Sequence, residues 1–382
     1  MSITYLDANA SEPVRPAARA AMLAALESVG NPASVHAAGR AARRMLETAR
    51  EQVAGCFGAA AAGVVFTSGG TEANALAIHG LGAGRRVIVG ATEHDAVRAS
   101  STFGTTLAGT TFAGTTLAGA AAILPVDRDG VADLDALARL LAEGPALVCL
   151  MLANNETGVV HPVAAAAALC RAHGALLHVD AVQAAGRMAV DLGALGADSL
   201  AISGHKLGGL QGAGALLLAG EPSLTPLIAG GGQERGRRGG TPALPALAGM
   251  AAAAGAAVAA LGEQGWLTAL RDGIEAAAVA AGAVVMGAGA ARLGNTSCLA
   301  LPGVRADTQV IALDLAGFQV SAGAACSSGR VAASHVLAAM GMGELAGAAV
   351  RVSLPWNAKA EDAERFAAAY VQMAGRLLRR AA

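Results

Sequence analysis

Short apolar runs recur through the first half of the chain, and each ends at glycine or in a polar cluster. Val64-Val65-Phe66 breaks at Thr67-Ser68-Gly69-Gly70-Thr71-Glu72, and Arg86-Val87-Ile88-Val89 delivers Thr92-Glu93-His94. Leu147-Val148-Cys149-Leu150-Met151-Leu152 ends at Asn154-Asn155-Glu156, and Ala175-Leu176-Leu177-His178-Val179 ends at Asp180. Such runs, bounded by turn residues, predict buried strands of a parallel sheet. Helical patterns lie between them: Ala73 to Ile78, Leu134 to Leu141 with helical spacing, and an Ala-rich stretch opened by His161-Pro162. Ile123 to Asp127 and Ala215 to Leu218 add further strands. The alternation from about residue 64 to about residue 220 predicts a doubly wound α/β fold. In that fold the strand ends face a ligand crevice.

The flanks follow a different pattern. Tyr5 to Ala10 precedes Pro13 and Pro16 and predicts an extended arm before the first helix, and Gly30 to His36 is a polar turn opening a helix through Arg40, Arg43 and Arg44. Ser297 to Leu301, Phe318 to Ser321 and Val350 to Leu354 read as C-terminal strands. A change of composition near residue 255 suggests two units: a large α/β domain over 14–255, and a smaller α+β domain made of 1–13 with 256–382.

The 382 residues carry a formal charge of -1, which excludes a strong electrostatic attraction to nucleic acid or an anionic membrane. Only 14% are charged, as expected of a chain that buries much surface, including in an oligomer. Five cysteines, Cys56, Cys149, Cys170, Cys298 and Cys326, are widely spaced with no C-x-x-C pair. That argues against a disulfide framework or a metal site and for a reducing cytosol. Met1 to Asp7 lacks a basic region followed by an apolar core, so no signal peptide is expected. Ala243 to Gly262 is uncharged for about a bilayer's length, but its Ala and Gly are too weakly apolar to insert, and a buried or interface helix is expected. Between Thr105 and Gly119 the chain repeats TTLAG, TTFAG, TTLAG, which reads as a low-complexity insertion in a surface connection.

Candidate chemistry centres on Ser203-Gly204-His205-Lys206. Lys206 and Lys359 are the only lysines among 27 basic residues, so a lysine framed by Ser, Gly and His suggests a task that guanidinium cannot perform. A desolvated ammonium loses its proton and attacks a carbonyl to form a Schiff base; arginine stays protonated. Pyridoxal phosphate chemistry requires such a lysine together with a carboxylate to hold the pyridine nitrogen protonated. Asp180 and Lys206 suit those two posts. The plainer alternatives are a helix cap for Asp180 and a surface position for Lys206.

Five further features bear on a site. Gly70 and Thr71 lie where a strand turns into a helix, a place whose free amides cradle phosphate. His94 follows a strand end and either caps, packs or stacks on a ligand ring. Arg235, Arg237 and Arg238 sit among glycines in a loop read as spanning two subunits. Arg351 is a charge within a strand pattern, to be partnered by a nearby Glu or by a substrate carboxylate. Cys326, unlike the other four cysteines, lies in a small-residue, glycine-flanked loop where a thiol can move to meet a substrate.

In their order the motifs resemble those of the cysteine desulfurases, enzymes of the pyridoxal phosphate fold-type I, class V aminotransferase group. The likeness runs from Leu6-Asp7 through Gly30-Asn31-Pro32-Ala33-Ser34, Phe66-Thr67-Ser68-Gly69, Thr92-Glu93-His94, Asn154-Asn155-Glu156 and His178-Val179-Asp180. It continues through Ser203 to Lys206, Gly231 to Arg235 and Ser321 to Ser327, to Arg351-Val352-Ser353-Leu354. The resemblance implies that Lys206 binds pyridoxal 5'-phosphate covalently and shuttles protons, that Asp180 pairs with the pyridine nitrogen, and that His94 stacks on the ring as acid or base. It places Gln183 and Asn155 at the ring hydroxyl, and Gly70, Thr71, Ser203 and His205 on the phosphate, with Thr241 from the other subunit of a homodimer. Arg351 and Asn155 would bind the substrate, L-cysteine, with Arg351 on its carboxylate. Cys326 would take the sulfur as a persulfide, for delivery to a sulfur-acceptor or cluster-scaffold protein in iron–sulfur cluster assembly or thiolation, as in the long-loop type. Leu207 to Gly212 lacks the family's usual Pro-Lys, and Arg330 to Ala333 lacks its Glu-Pro. Another class V reaction, such as an aminotransferase or selenocysteine lyase, and a silent sulfur-transfer scaffold are the alternatives.

Overall fold

The computed structural model describes residues 3–102, 120–323 and 333–381. The Thr105–Gly119 repeat and Cys326 lie outside the described residues. In chain order the strands are β1 (Thr4–Tyr5), β2 (Val64–Thr67), β3 (Arg86–Gly90), β4 (Ala122–Leu124), β5 (Ala146–Cys149), β6 (Leu176–Asp180), β7 (Ser199–Ser203), β8 (Gly214–Leu218), β9 (Val284–Val285), β10 (Thr296–Ala300), β11 (Phe318–Gln319), β12 (Ser321–Ala322) and β13 (Ala349–Ser353). The helices are α1 (Pro16–Leu26), α2 (Ala37–Cys56), α3 (Gly70–Leu81), α4 (Asp95–Thr102), α5 (Leu134–Leu141), α6 (Val163–Ala172), α7 (Leu192–Leu195), α8 (Leu244–Ala259), α9 (Gly265–Ala280), α10 (Ala306–Leu315), α11 (His335–Ala339) and α12 (Ala360–Ala381).

Seven strands form the main sheet in the order β2-β8-β7-β6-β5-β3-β4, parallel except that β8 runs against both neighbours. This is the mainly parallel, doubly wound sheet that the alternating pattern predicts. Both faces are covered, so the strands are apolar at successive positions. Leu177, Val179, Leu200 and Ile202 point into the core beneath α1, α2, α6 and α8, while Leu147, Cys149, Ala201 and Leu216 pack against Ala73, Leu76 and Ala77 of α3. The apolar run at Leu147–Leu152 pairs as a regular strand only to Cys149, but Leu150 N–H and Leu152 N–H still donate to the carbonyls of His178 and Asp180.

A second, antiparallel sheet has the order β12-β13-β10-β9, and β1 pairs in parallel with β11. Its core joins Leu6 of the arm to Leu299, Leu301, Val350, Val352, Phe366 and Tyr370. On α12 the buried residues Ala363, Phe366, Tyr370, Met373 and Ala374 form one stripe at helical spacing, and burying Phe366 alone is worth about 1.5–3 kcal/mol. Thus β1 ties the chain's start to its last third, and the segment that follows, Asp7 to Glu12, lies over the carboxyl edge of the main sheet. The uncharged stretch from Ala243 is α8, whose Leu247, Met250, Ala254 and Ala257 are buried in the main core. Among the described residues, no helix is long and apolar enough to cross a membrane.

Candidate active site

The carboxyl ends of four neighbouring strands and the start of α3 converge on one cavity of about 400 Å³. Gly70, Thr71, His94, Asn155, Asp180, Gln183, Ser203, His205, Lys206 and Arg351 all line it, although they are scattered over nearly 300 positions. Thr241 does not: it lies in a separate cleft with Phe66, Ser68, Glu234 and Arg238.

Lys206 closes a single tight turn after β7, where there is little room: a Cβ on Gly204 would come within 3.0 Å of the Leu210 carbonyl. Its ammonium points inward and donates to the backbone carbonyls of Asn9 and Ala10. The surface alternative for Lys206 is therefore overturned. Burial, followed by the positive charges of Arg187 and Arg351, pushes its pKa down to about 7. Part of the lysine population is thus an uncharged, nucleophilic amine near neutrality.

Asp180 ends β6. Its Oδ1 accepts from Val182 N–H at 2.9 Å across a turn, not at a helix start, so the helix-cap alternative is overturned, and Oδ2 accepts from Asn74 Nδ2 at 2.7 Å. Burial raises its pKa against the opposing pull of these donors and of His94 and Lys206. A buried carboxylate held by two neutral donors is suited to a cationic partner in the cavity.

Gly70 opens α3, whose first-turn amides lack intrahelical acceptors. A Cβ there would meet Val182 Cγ2 at 2.7 Å, so glycine allows the close packing of this helix end against the β6 loop. Ser203 is buried beside it, and burial brings His205 down to about pH 4. These neutral donors and the helix dipole make an anion cradle. His94 accepts from Ala96 N–H at Nδ1, 3.1 Å away, and so caps α4 while also lining the cavity.

The reading of Arg351 changes. Arg351 finds its carboxylate within the chain, in Asp7 rather than a Glu: Nη2 lies 2.6 Å from Asp7 Oδ1, and Nη1 donates to the Asn155 carbonyl at 3.1 Å. Its Nε is buried without a partner among the described residues. Within the chain, the glycine-rich loop's Arg235 and Arg237 donate to the Ala62 carbonyl and Arg238 pairs with Glu72 at 2.7 Å. Gln183 is already engaged, with Nε2 donating to Asn9 O and Oε1 accepting from Arg187.

The chain pattern did not single out Asn9, Asn74, Arg187, Glu93, Glu156 or His335. Asn9 meets Lys206 and Gln183 through its backbone carbonyl, for which no side-chain pattern is a signal, while its Nδ2 donates to the Asn155 carbonyl at 3.1 Å. Asn74, a polar residue between Ala73 and Ala75 on the apolar face of α3, was a readable signal. Glu93 is fully buried, accepts from Met151 N–H at 2.6 Å, and has its pKa driven well up by burial and by Asp180. His335 donates from Nε2 to the Glu93 carbonyl at 3.0 Å.

The donor set fits pyridoxal 5'-phosphate: a depressed lysine amine, a buried carboxylate and an anion cradle share one cavity. Among the described residues no group of His, Cys, Asp and Glu is arranged to hold a metal. The family model for aminotransferase class-V matches residues 4–366. A cysteine desulfurase of Cereibacter sphaeroides is 41% identical over 371 residues, covering 94% of this chain and 93% of that protein. An IscS-like cysteine desulfurase of Mycobacterium tuberculosis is 37% identical, covering 89% and 88%. The crystal structure of a NifS-like protein from Rickettsia africae matches with a TM-score of 0.87 at 30% identity, covering 97% and 99%.

Proposed function

The chain belongs to the aminotransferase class-V family, among its cysteine desulfurases, and on that premise we propose that it converts L-cysteine to L-alanine and passes the sulfur to Cys326 as a persulfide. The observation that carries this reading is the placement of Lys206, Asp180 and Arg351 on one cavity, with the lysine pKa down near 7.

Pyridoxal 5'-phosphate, when bound, supplies an electron sink that makes the substrate Cα–H acidic. The residues that would hold it are Gly70, Thr71, Ser203 and His205 at its phosphate, Asp180 at its pyridine nitrogen, Asn155 and Gln183 at its hydroxyl side and His94 against its ring. Thr241 would come from the partner subunit of a homodimer; the separation of Thr241 from its own chain's cavity supports that reading.

Arg351 would grip the substrate carboxylate with two N–H groups, which fixes where Cα lies relative to Lys206. To do so it must share or release Asp7. The Lys206 amine, uncharged in part at neutral pH, takes the proton from Cα and returns one in forming alanine. Val182 N–H, His94, the Asn74 amide and Lys206 oppose the rise that burial gives the Asp180 pKa and so favour its ionised form. Cys326 receives the sulfur and delivers it to an acceptor protein for iron–sulfur cluster assembly or thiolation in the cytosol.

The test is formation of alanine and sulfide from L-cysteine in the presence of a thiol reductant. Wild-type protein produces both, and Cys326→Ala produces neither at more than a trace rate. Undiminished desulfuration by that variant would remove Cys326 from the mechanism.

A further inference from the structure

Behind Asp180, away from the cavity, lies a chain of three polar side chains in an otherwise apolar layer. His178 precedes Asp180 by two positions on β6, so both project to the face covered by α3, while Leu177 and Val179 enter the opposite core. Ser199 is the register partner of His178 on β7. Asn74 comes from the first turns of α3, after Ala73 and before Leu76 and Ala77 of the apolar contact. None of the three is more than 1% exposed.

Their hydrogen bonds have only one consistent polarity. An ionised Asp180 accepts but cannot donate, so Asn74 turns Nδ2 to Asp180 Oδ2, at 2.7 Å. Asn74 Oδ1 then faces His178 Nε2 at 2.8 Å and must accept from it, which places the imidazole proton on Nε2. Burial keeps the ring neutral, with its pKa down to about 3, so Nδ1 is bare and accepts the Ser199 hydroxyl proton at 2.8 Å. Three donors thus point in series toward one carboxylate. Such aligned bonds polarise one another in a low-dielectric layer, fix the orientation of the group they hold, and oppose the rise that burial gives its pKa.

We propose that Asn74, His178 and Ser199 are positioning residues that hold Asp180 as a fixed anion aimed into the cavity. Apolar side chains would fill the layer between α3 and the sheet without the desolvation that these polar groups bear. The charged and titratable groups facing Asp180 are Lys206 beyond β7, His94 and Glu93 in the turn after β3, and Cys149 on β5. Lys206 and His94 favour the anion, whereas burial drives the pKa values of Glu93 and Cys149 well up, which disfavours a competing negative charge there. The relay therefore orients, from behind, the Asn74 amide that donates to Asp180 from the α3 side.

This inference rests on the reading of Asp180 as the partner of the pyridine nitrogen, and its test separates the two. Selectively 15N-histidine-labelled apoprotein is titrated from about pH 5 to about pH 8. One imidazole of the eight, absent in His178→Gln, stays neutral in the Nε2–H form throughout. A His178 that is protonated at pH 6, or carries its proton on Nδ1, overturns the relay whatever the enzyme's activity. In parallel, pyridoxal 5'-phosphate binding to apoprotein is followed by fluorescence. Asn74→Leu and His178→Leu weaken it by about tenfold or more, and His178→Gln, whose amide can donate to Asn74, recovers most of the loss. Leucine variants that bind like wild type, or a glutamine variant no better than leucine, reduce the three residues to packing. Should the leucine variants fail to fold, the titration of wild-type protein decides. Failure of wild-type protein to bind the cofactor at all would instead sink the proposed function while leaving the relay measurable.

Discussion

Arg351 and Asp7 stand 344 positions apart in sequence and 2.6 Å apart in space, with the arginine side chain 4% exposed and the aspartate 21%. The arm that carries Asp7 also supplies the carbonyls of Asn9 and Ala10 to Lys206, so one short segment engages both the amine and the guanidinium of the cavity. In the proposed reaction a substrate carboxylate must compete with Asp7 for Arg351.

That competition has a sign. Asp7→Asn removes the in-chain rival and lowers the KM for L-cysteine by about fivefold, the scale of a partly exposed charged pair. Arg351→Ala acts in the other direction and weakens substrate binding by ~2 kcal/mol or more. Steady-state kinetics on both variants checks this. A raised KM in Asp7→Asn would assign Asp7 to holding Arg351 in place, and an unchanged KM in Arg351→Ala would make that arginine structural.

Lys206 makes both a chemical and a thermodynamic prediction. Lys206→Ala and Lys206→Arg abolish turnover while keeping the fold, because arginine supplies charge but no deprotonated amine. Since the folded pKa is near 7 against 10.5 for a free lysine, the unfolded chain binds the extra proton between those values, and folding stability rises with pH across that window. Urea unfolding of apoprotein at about pH 7 and about pH 9.5 therefore shows a gain for wild type that Lys206→Met lacks. Equal slopes for the two proteins would mean an ordinary, charged lysine.

Acid should act through buried histidine. His161 accepts from Ala132 N–H, lies 3.4 Å from Thr92 Oγ1, and is brought down to about pH 4 by burial. Its unfolded counterpart takes up a proton from about pH 6.5 downward, so stability falls between there and about pH 4. His161→Gln, which cannot charge, flattens that part of the stability curve. A variant that tracks wild type from pH 6.5 to pH 4 would locate the acid sensitivity elsewhere.

The glycine-rich loop is anchored by Glu234, which accepts from Arg50 at 2.6 and 2.8 Å and from Phe66 N–H at 2.8 Å. Glu234 and Arg235 both have left-handed backbone, with φ of 47° and 59°, a strain that this buried ion pair holds in place. Arg50→Met leaves the carboxylate buried without its partner and costs about 3–5 kcal/mol, measured by chemical unfolding. A loss below about 1 kcal/mol would show that the loop is held by other contacts.

Periodicity and turn chemistry made the α/β alternation legible, because strands covered on both faces must be continuously apolar and helix starts must satisfy free amides. The helix over Leu134–Leu141 and the strand ending at Asp180 fall where those rules put them. The scarcity of lysine singled out Lys206, and the ordered motifs indicated the family, since several of them, such as Thr92-Glu93-His94, Asn154-Asn155-Glu156 and Ser203 to Lys206, sit where a strand of the main sheet ends. Sequence could not show that Asp7 is the partner of Arg351, that backbone carbonyls of Asn9 and Ala10 hold Lys206, or that Asn74, His178 and Ser199 line up behind Asp180. Those contacts join residues from separate elements, and one is made by peptide groups that every residue carries. Only the closing of the sheet, with the N-terminal arm laid across its carboxyl edge, brings them within bonding distance and sets the burial that moves the pKa of Lys206.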